Sequence, residues 1–220
     1  MSSEFRVPGS ELPEGSFAGP NPKPGTRNPE LRLGLFGGSF DPVHCAHLLV
    51  AQAACEEMEL ERLFFIPAAQ SPFKPESAPA PAAERVKLLR LALAGWTNCE
   101  VDGQELARGG TSFTIDTLRN YARRFPRAQL FYLIGADHVP TLPKWREAVE
   151  LARLAEFVAI PRPGQELAPF PAPFRGRELR GFPLGVSSSQ IRARVKAGLG
   201  VRGLVPDAVA EALRNSMLYL

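Results

Sequence analysis

One stretch decides most of what this chain can fold into: Leu31 to Leu49, LRLGLFGGSFDPVHCAHLL. Its short apolar run, Leu31–Phe36, reads as a buried strand. Gly37 and Gly38 end the run, and Ser39, Phe40, Asp41 and Pro42 carry the chain round. His44 and His47, two of the three histidines, then fall at the start of an apolar helical pattern. A strand, a glycine turn and a helix in this order make a place to hold phosphate. The first N–H groups of a helix have no intrahelical partner, and the helix dipole favours negative charge there.

The rest of the chain repeats the alternation. Arg62–Pro67 (RLFFIP), Cys99–Asp102, Gln129–Ile134 (QLFYLI) and Glu156–Ile160 read as strands, with another short one expected near Phe182–Val186. Helical spacing covers 44–59, 82–95, Thr114–Phe125, Trp145–Leu154, 188–197 and 206–215. Strands alternating with helices imply right-handed crossovers. The expected fold class is therefore α/β: a Rossmann-like, doubly wound parallel sheet with helices on both faces and a C-terminal helical segment. Ligands bind beyond the carboxyl ends of such strands. Those ends hold Gly37-Gly38, the Ser71–Lys74 loop and Gly135-Ala136-Asp137. Neither GxGxxG nor GxxxxGK[ST] occurs, so dinucleotide-dehydrogenase and P-loop readings lack their main signal.

Residues 1–30 are rich in Pro, Gly, Ser and Glu and show no periodicity. They are expected to form a disordered N-terminal extension, with 31–220 as the folded domain. A net charge of +3 without a basic stripe argues against nucleic acid as a partner and leaves room for a local basic pocket. No apolar run approaches the ~20 residues needed to span a bilayer, and no signal core appears. Cys45, Cys55 and Cys99 lack CxxC spacing. That argues against a disulfide framework or zinc site and for a reducing, cytoplasmic setting. Whether copies of the chain associate as a homo-oligomer is left open.

Several residues admit both a chemical and a structural reading. His44 and His47 share a helix face and can donate to phosphate, or form half of a metal site. Ser187 with Gln190 has capping-box spacing, while Ser188, Ser189 and Arg192 also suit a phosphate site at a helix end. Lys74 is either a surface charge or a phosphate contact. Asp137 can bind a ribose hydroxyl or Mg²⁺, or cap the next segment. Trp145 is either core or a platform for a flat ring, and stacking of that kind contributes ~1–3 kcal/mol. Thr114 is an N-cap or faces ligand.

Taken in order, GGSFDPVHxxH, GTSFTIDTL, IGAD, PKW, RPG and SSSxIR resemble the bacterial nicotinate-nucleotide adenylyltransferases of the nucleotidylyltransferase superfamily, over about residues 31–220. The resemblance implies transfer of an adenylyl group from ATP to nicotinate mononucleotide with Mg²⁺, giving nicotinate adenine dinucleotide and pyrophosphate. It implies that His44, His47 and Arg192 bind the ATP phosphates, with Lys74 and Ser188 beside them. Gly135 and Asp137 would lie at the ribose and metal side. Gly37, Gly38, Ser39 and Phe40 would line the cleft between the nucleotides. Thr114 would contact the mononucleotide and Trp145 would stack on its pyridine.

Three positions depart from the family pattern. Ala46 stands where glycine is usual, Phe73 where histidine is usual, and the late motif reads Ser187-Ser188-Ser189 in place of SST. A methyl at Ala46 crowds the backbone's approach to phosphate, although alanine favours helix over glycine by ~1 kcal/mol. Two other readings stand beside this one: another adenylyltransferase of the superfamily, such as the phosphopantetheine enzyme, or a nucleotide-binding regulator without turnover.

Overall fold

The computed structural model describes residues 31–72, 79–164 and 167–220. Strands β1 (Arg32–Gly38), β2 (Arg62–Pro67), β3 (Cys99–Val101), β4 (Gln129–Gly135), β5 (Glu156–Ile160) and β6 (Gly176–Glu178) form one sheet. All pairings between them are parallel, in the order β3-β2-β1-β4-β5-β6. The doubly wound expectation therefore holds. The chain runs outward from β1 to β3, then returns to β4 on the other side of β1. The crevice opens where the direction reverses, between the ends of β1 and β4.

Both faces of the sheet are buried, and the strands show it residue by residue. In β4, Phe131 and Leu133 pack on one face while Leu130, Tyr132 and Ile134 pack on the other. In β2 the split is Leu63 and Phe65 against Phe64 and Ile66. Each fully buried side chain of this size contributes about 1.5–3 kcal/mol by leaving water. Helices α1 (Cys45–Glu57), α2 (Ala82–Ala92), α6 (Ser188–Lys196) and α7 (Asp207–Arg214) supply the first face. The other is covered by α4 (Thr114–Arg124), α5 (Ala148–Leu154) and a 3₁₀ stretch, Ala136–Lys144. A short helix, α3 (Gln104–Arg108), was not expected.

Two expectations are corrected. No strand forms at Phe182–Val186; the edge strand is Gly176–Glu178, paired Phe157↔Gly176 to Ala159↔Glu178. It is an exposed edge anchored by its buried flanks, Phe174 and Leu179, so no apolar run marks it. Phe182 and Leu184 are exposed. The helix expected from Trp145 begins at Ala148. Pro140 and Pro143 favour the tighter 3₁₀ path before it, Trp145 is extended, and Glu147 takes a left-handed conformation (φ 55°).

Candidate active site

The glycine turn is shaped from both sides. A Cβ on Gly37 would sit 2.5 Å from the Tyr132 hydroxyl, so β1 can lie against β4's tyrosine only without a side chain. Phe40 adopts a left-handed backbone (φ 47°) that turns its ring inward. The ring is 2% exposed and packs against Phe36, Phe65 and His47 at centroid distances of 5.4, 5.4 and 5.0 Å. Its ring therefore faces the core; Gly37, Gly38 and Ser39 remain half-buried at the strand end.

The turn's carbonyls are held from behind. Ser39 O accepts from Arg85 Nη1 (2.8 Å), Asp41 O from Arg192 Nη1 (2.7 Å) and Pro42 O from the Ser188 hydroxyl (2.8 Å). Arg85, 2% exposed, also donates to Ala68 O (2.9 Å) and, through Nε, to Ala80 O (3.0 Å). Burial lowers its pKa, opposed by the nearby Asp41 and Tyr219. Sequence reasoning missed Arg85, because an arginine in an amphipathic helix is ordinarily solvated. Asp41 is itself buried. Its Oδ1 accepts from the Tyr219 hydroxyl (2.6 Å) and from Ala80 N–H (3.2 Å), and its Oδ2 faces Arg192 Nη1 at 3.7 Å.

The histidines form a stacked pair, with centroids 3.7 Å apart and planes 25° from parallel. His44 caps α1, and its backbone N–H donates to His47 Nδ1 (3.2 Å). That bond puts the proton of neutral His47 on Nε2, leaving it as a donor. Burial pushes the His44 pKa down to about 4; burial and the neighbouring His44 hold His47 well below its ordinary value. Both rings are thus neutral at pH 7. His44 Nδ1 is buried with no hydrogen-bond partner among the described residues. Leaving such an atom unpaired costs about 1–3 kcal/mol, which a ligand group would relieve.

The first turn of α1 is less open than expected. Cys45 N–H donates to Leu204 O and His47 N–H to His44 O, both at 2.9 Å, so of the first three N–H groups that of Ala46 remains. At α6 the capping box is real: Ser187 Oγ accepts from Gln190 N–H (3.3 Å) and Gln190 Oε1 accepts from Ser187 N–H (2.9 Å). Arg192 Nη2 donates to Ser189 Oγ (3.3 Å). The fold brings Ser188 and Arg192 to the glycine turn, where His44 and His47 already stand. Lys74 and Phe73 lie outside the described residues, as do residues 1–30.

Across the crevice, Gly135 is the last residue of β4, where a Cβ would lie 2.4 Å from Asp137 Oδ1. Asp137 is ion-paired with Arg162 of the RPG stretch (3.2 Å to Oδ1, 3.3 Å to Oδ2), a partner the sequence reading did not anticipate. Among the described residues no group of three or more His, Cys, Asp or Glu is arranged to hold a metal ion. Thr114 is the first helical residue of α4, not its cap, and its hydroxyl donates to the Tyr132 hydroxyl (3.3 Å). Trp145 is half-buried, its Nε1 donating to Thr141 Oγ1 (3.1 Å). Thr114 and Trp145 line one cleft of about 130 Å³ with Pro72, Phe113, Lys144, Arg146 and Leu151. The Arg146 guanidinium stacks 4.8 Å above the Phe113 ring.

Comparison with known proteins agrees with this geometry. The sequence model of the cytidylyltransferase-like family matches residues 35–194. A relative in Opitutus terrae, named Probable nicotinate-nucleotide adenylyltransferase, is 40% identical over 196 residues, covering 86% of this chain and 98% of its own. Its namesake in Thermus thermophilus is 42% identical over 189 residues, covering 86% and 100%. Among solved structures, Plasmodium falciparum nicotinic acid mononucleotide adenylyltransferase complexed with NaAD shares the fold, with a TM-score of 0.70 at 14% identity over 86% of this chain and 97% of that one. The parallel sheet, the histidine turn and these relatives together place the chain in the nicotinate-nucleotide adenylyltransferase family, within the cytidylyltransferase-like proteins.

Proposed function

We infer that this chain transfers an adenylyl group from ATP to nicotinate mononucleotide, forming nicotinate adenine dinucleotide and releasing pyrophosphate. The observation that carries the reading is convergence: His44, His47, Ser188 and Arg192 meet at the glycine turn, beside a tryptophan-walled cleft at the same end of the sheet. In this reading the triphosphate lies along Gly37–Ser39 toward the two imidazoles and Arg192, with Lys74 joining from its loop. The mononucleotide's ring stacks on Trp145, near Thr114. Lys144 puts a cation beside that cleft, while Arg146 there is ion-paired with Asp116 (3.7 Å) and Glu147 (3.5 Å).

The chemistry asks little of the protein beyond placement and charge. The attacking phosphate is already ionised near pH 7, so no general base is needed. In-line displacement at the α-phosphorus is accelerated by holding two anions together and stabilising charge on the departing pyrophosphate. Neutral His44 and His47 supply N–H donors, and Arg192 supplies a fixed cation. Mg²⁺ would accompany ATP, with Asp137 the carboxylate at that side able to hold it or its water, and would supply neutralisation of the charge on the departing pyrophosphate. The test is pyrophosphate release from purified protein with Mg·ATP and, in turn, nicotinate mononucleotide, nicotinamide mononucleotide and phosphopantetheine. Release with the first acceptor is expected. Release with phosphopantetheine alone, or with none, refutes the reading.

A further inference from the structure

We propose that Tyr219 is a positioning residue for adenylyl transfer: its hydroxyl fixes the Asp41 carboxylate, which keeps Arg192 set against the glycine turn. The proposal rests on the function inferred above and extends it to the C-terminal segment, whose part in the site no sequence motif indicated.

The segment after α7 is built to deliver this hydroxyl. Ser216 Oγ donates to Leu213 O (3.1 Å) and accepts from Leu218 N–H (3.3 Å), turning the chain back on the helix. Met217 and Leu220 are 83% and 67% exposed, while Leu218 and Tyr219 pack against the core. Tyr219 is held in a left-handed conformation (φ 70°), which bulky side chains rarely adopt. What holds it is the side chain's reach to Asp41 Oδ1, at 2.6 Å. Burial and the adjoining carboxylate push the phenol's pKa up, so it stays a proton donor at any assay pH.

Asp41 is the junction. One oxygen takes Tyr219 and Ala80 N–H; the other faces Arg192, whose Nη1 also donates to Asp41 O. With the phenol in place, Oδ1 is satisfied without the guanidinium. Without it, the carboxylate loses its short partner and is free to turn away from the position that sets Arg192. The consequence is selective: ATP use suffers and the acceptor cleft, which holds no atom of this junction, does not.

Tyr219→Phe removes the hydroxyl and keeps the ring. Steady-state kinetics should show kcat/KM for ATP falling roughly tenfold, the scale of one hydrogen bond to a charged group. KM for nicotinate mononucleotide should stay within about twofold. In an Arg192→Ala background the same change should cost under about twofold, because the group it acts through is gone. Equal losses for both substrates, no loss, or an undiminished tenfold loss without Arg192 would each overturn the proposal. Should Tyr219→Phe not fold, Asp41→Asn carries the same test, with the same ATP-selective loss expected. An inactive wild-type protein would instead refute the function inferred above.

Discussion

Arg85→Met tests whether the glycine turn is held by a buried cation. Methionine keeps much of the side chain's volume and flexibility, so packing loss is small. Three charge-assisted hydrogen bonds disappear: those to Ser39 O, Ala68 O and Ala80 O. Each would be worth about 1.5–3 kcal/mol if simply lost. Two effects reduce the sum. A desolvated guanidinium leaves the interior, which relieves a burial penalty of several kcal/mol. Ser39, Ala68 and Ala80 are only half-buried, so water can reach their carbonyls. Counting about 1 kcal/mol for each orphaned carbonyl gives a net loss of about 3 kcal/mol. At ~2–4 °C per kcal/mol for a chain of this size, Tm falls by about 6–12 °C. Differential scanning calorimetry and urea unfolding measure it. Arg85→Lys should recover a fraction, because an ammonium lacks the fork that spans three acceptors. A Tm within 2 °C of wild type for Arg85→Met, or a fully restored Tm for Arg85→Lys, refutes the reasoning.

His47→Ala should lower kcat by at least ~100-fold, the scale of one lost transition-state donor, in the pyrophosphate assay; near-normal turnover removes His47 from the chemistry. Trp145→Ala should raise KM for nicotinate mononucleotide more than for ATP, and equal increases would return the indole to a packing role. Acid should destabilise the protein through the histidine pair. Folded His44 titrates near pH 4 and His47 is held well below its ordinary value, while unfolded histidines titrate near 6.5, so below that pH the unfolded state binds more protons. The stability from keeping His44 neutral, about 3 kcal/mol, is complete above pH 6.5 and lost as pH falls toward 4. Urea midpoints from pH 7.5 to 4.5 should therefore drop less for His44→Asn/His47→Asn than for wild type; parallel curves contradict the assignment.

What could be read from residue order alone was what is local. Strands β2 and β5 were placed to the residue, because RLFFIP and EFVAI are apolar runs with marked ends. The histidine pair and the capping box were legible because their partners lie three residues apart. Edge strand β6 was not, since backbone pairing on one side and two flanking apolar residues hold it. The burial of the Phe40 ring was not legible for a related reason: its neighbour Ser39 stays at the strand end, and only a positive φ turns the ring into the core. Arg85, Tyr219 and the pairing of Arg162 with Asp137 escaped notice because the partners are 46, 178 and 25 residues away. Nothing in an arginine's or tyrosine's neighbours along the chain distinguishes a braced side chain from a solvated one.

The occupied carbonyls of the turn have an electrostatic consequence. Peptide oxygens facing a polyphosphate repel it, and a tight turn cannot point all of them elsewhere. Here Ser39 O, Asp41 O and Pro42 O each give a lone pair to a guanidinium or hydroxyl. The turn is insulated as well as shaped: its negative ends are screened by donors from α2 and α6, and an incoming anion meets a surface sorted by sign. The donors that do the screening come from positions 46, 151 and 146 residues along the chain. They set the field at the turn whether or not they ever touch what binds there.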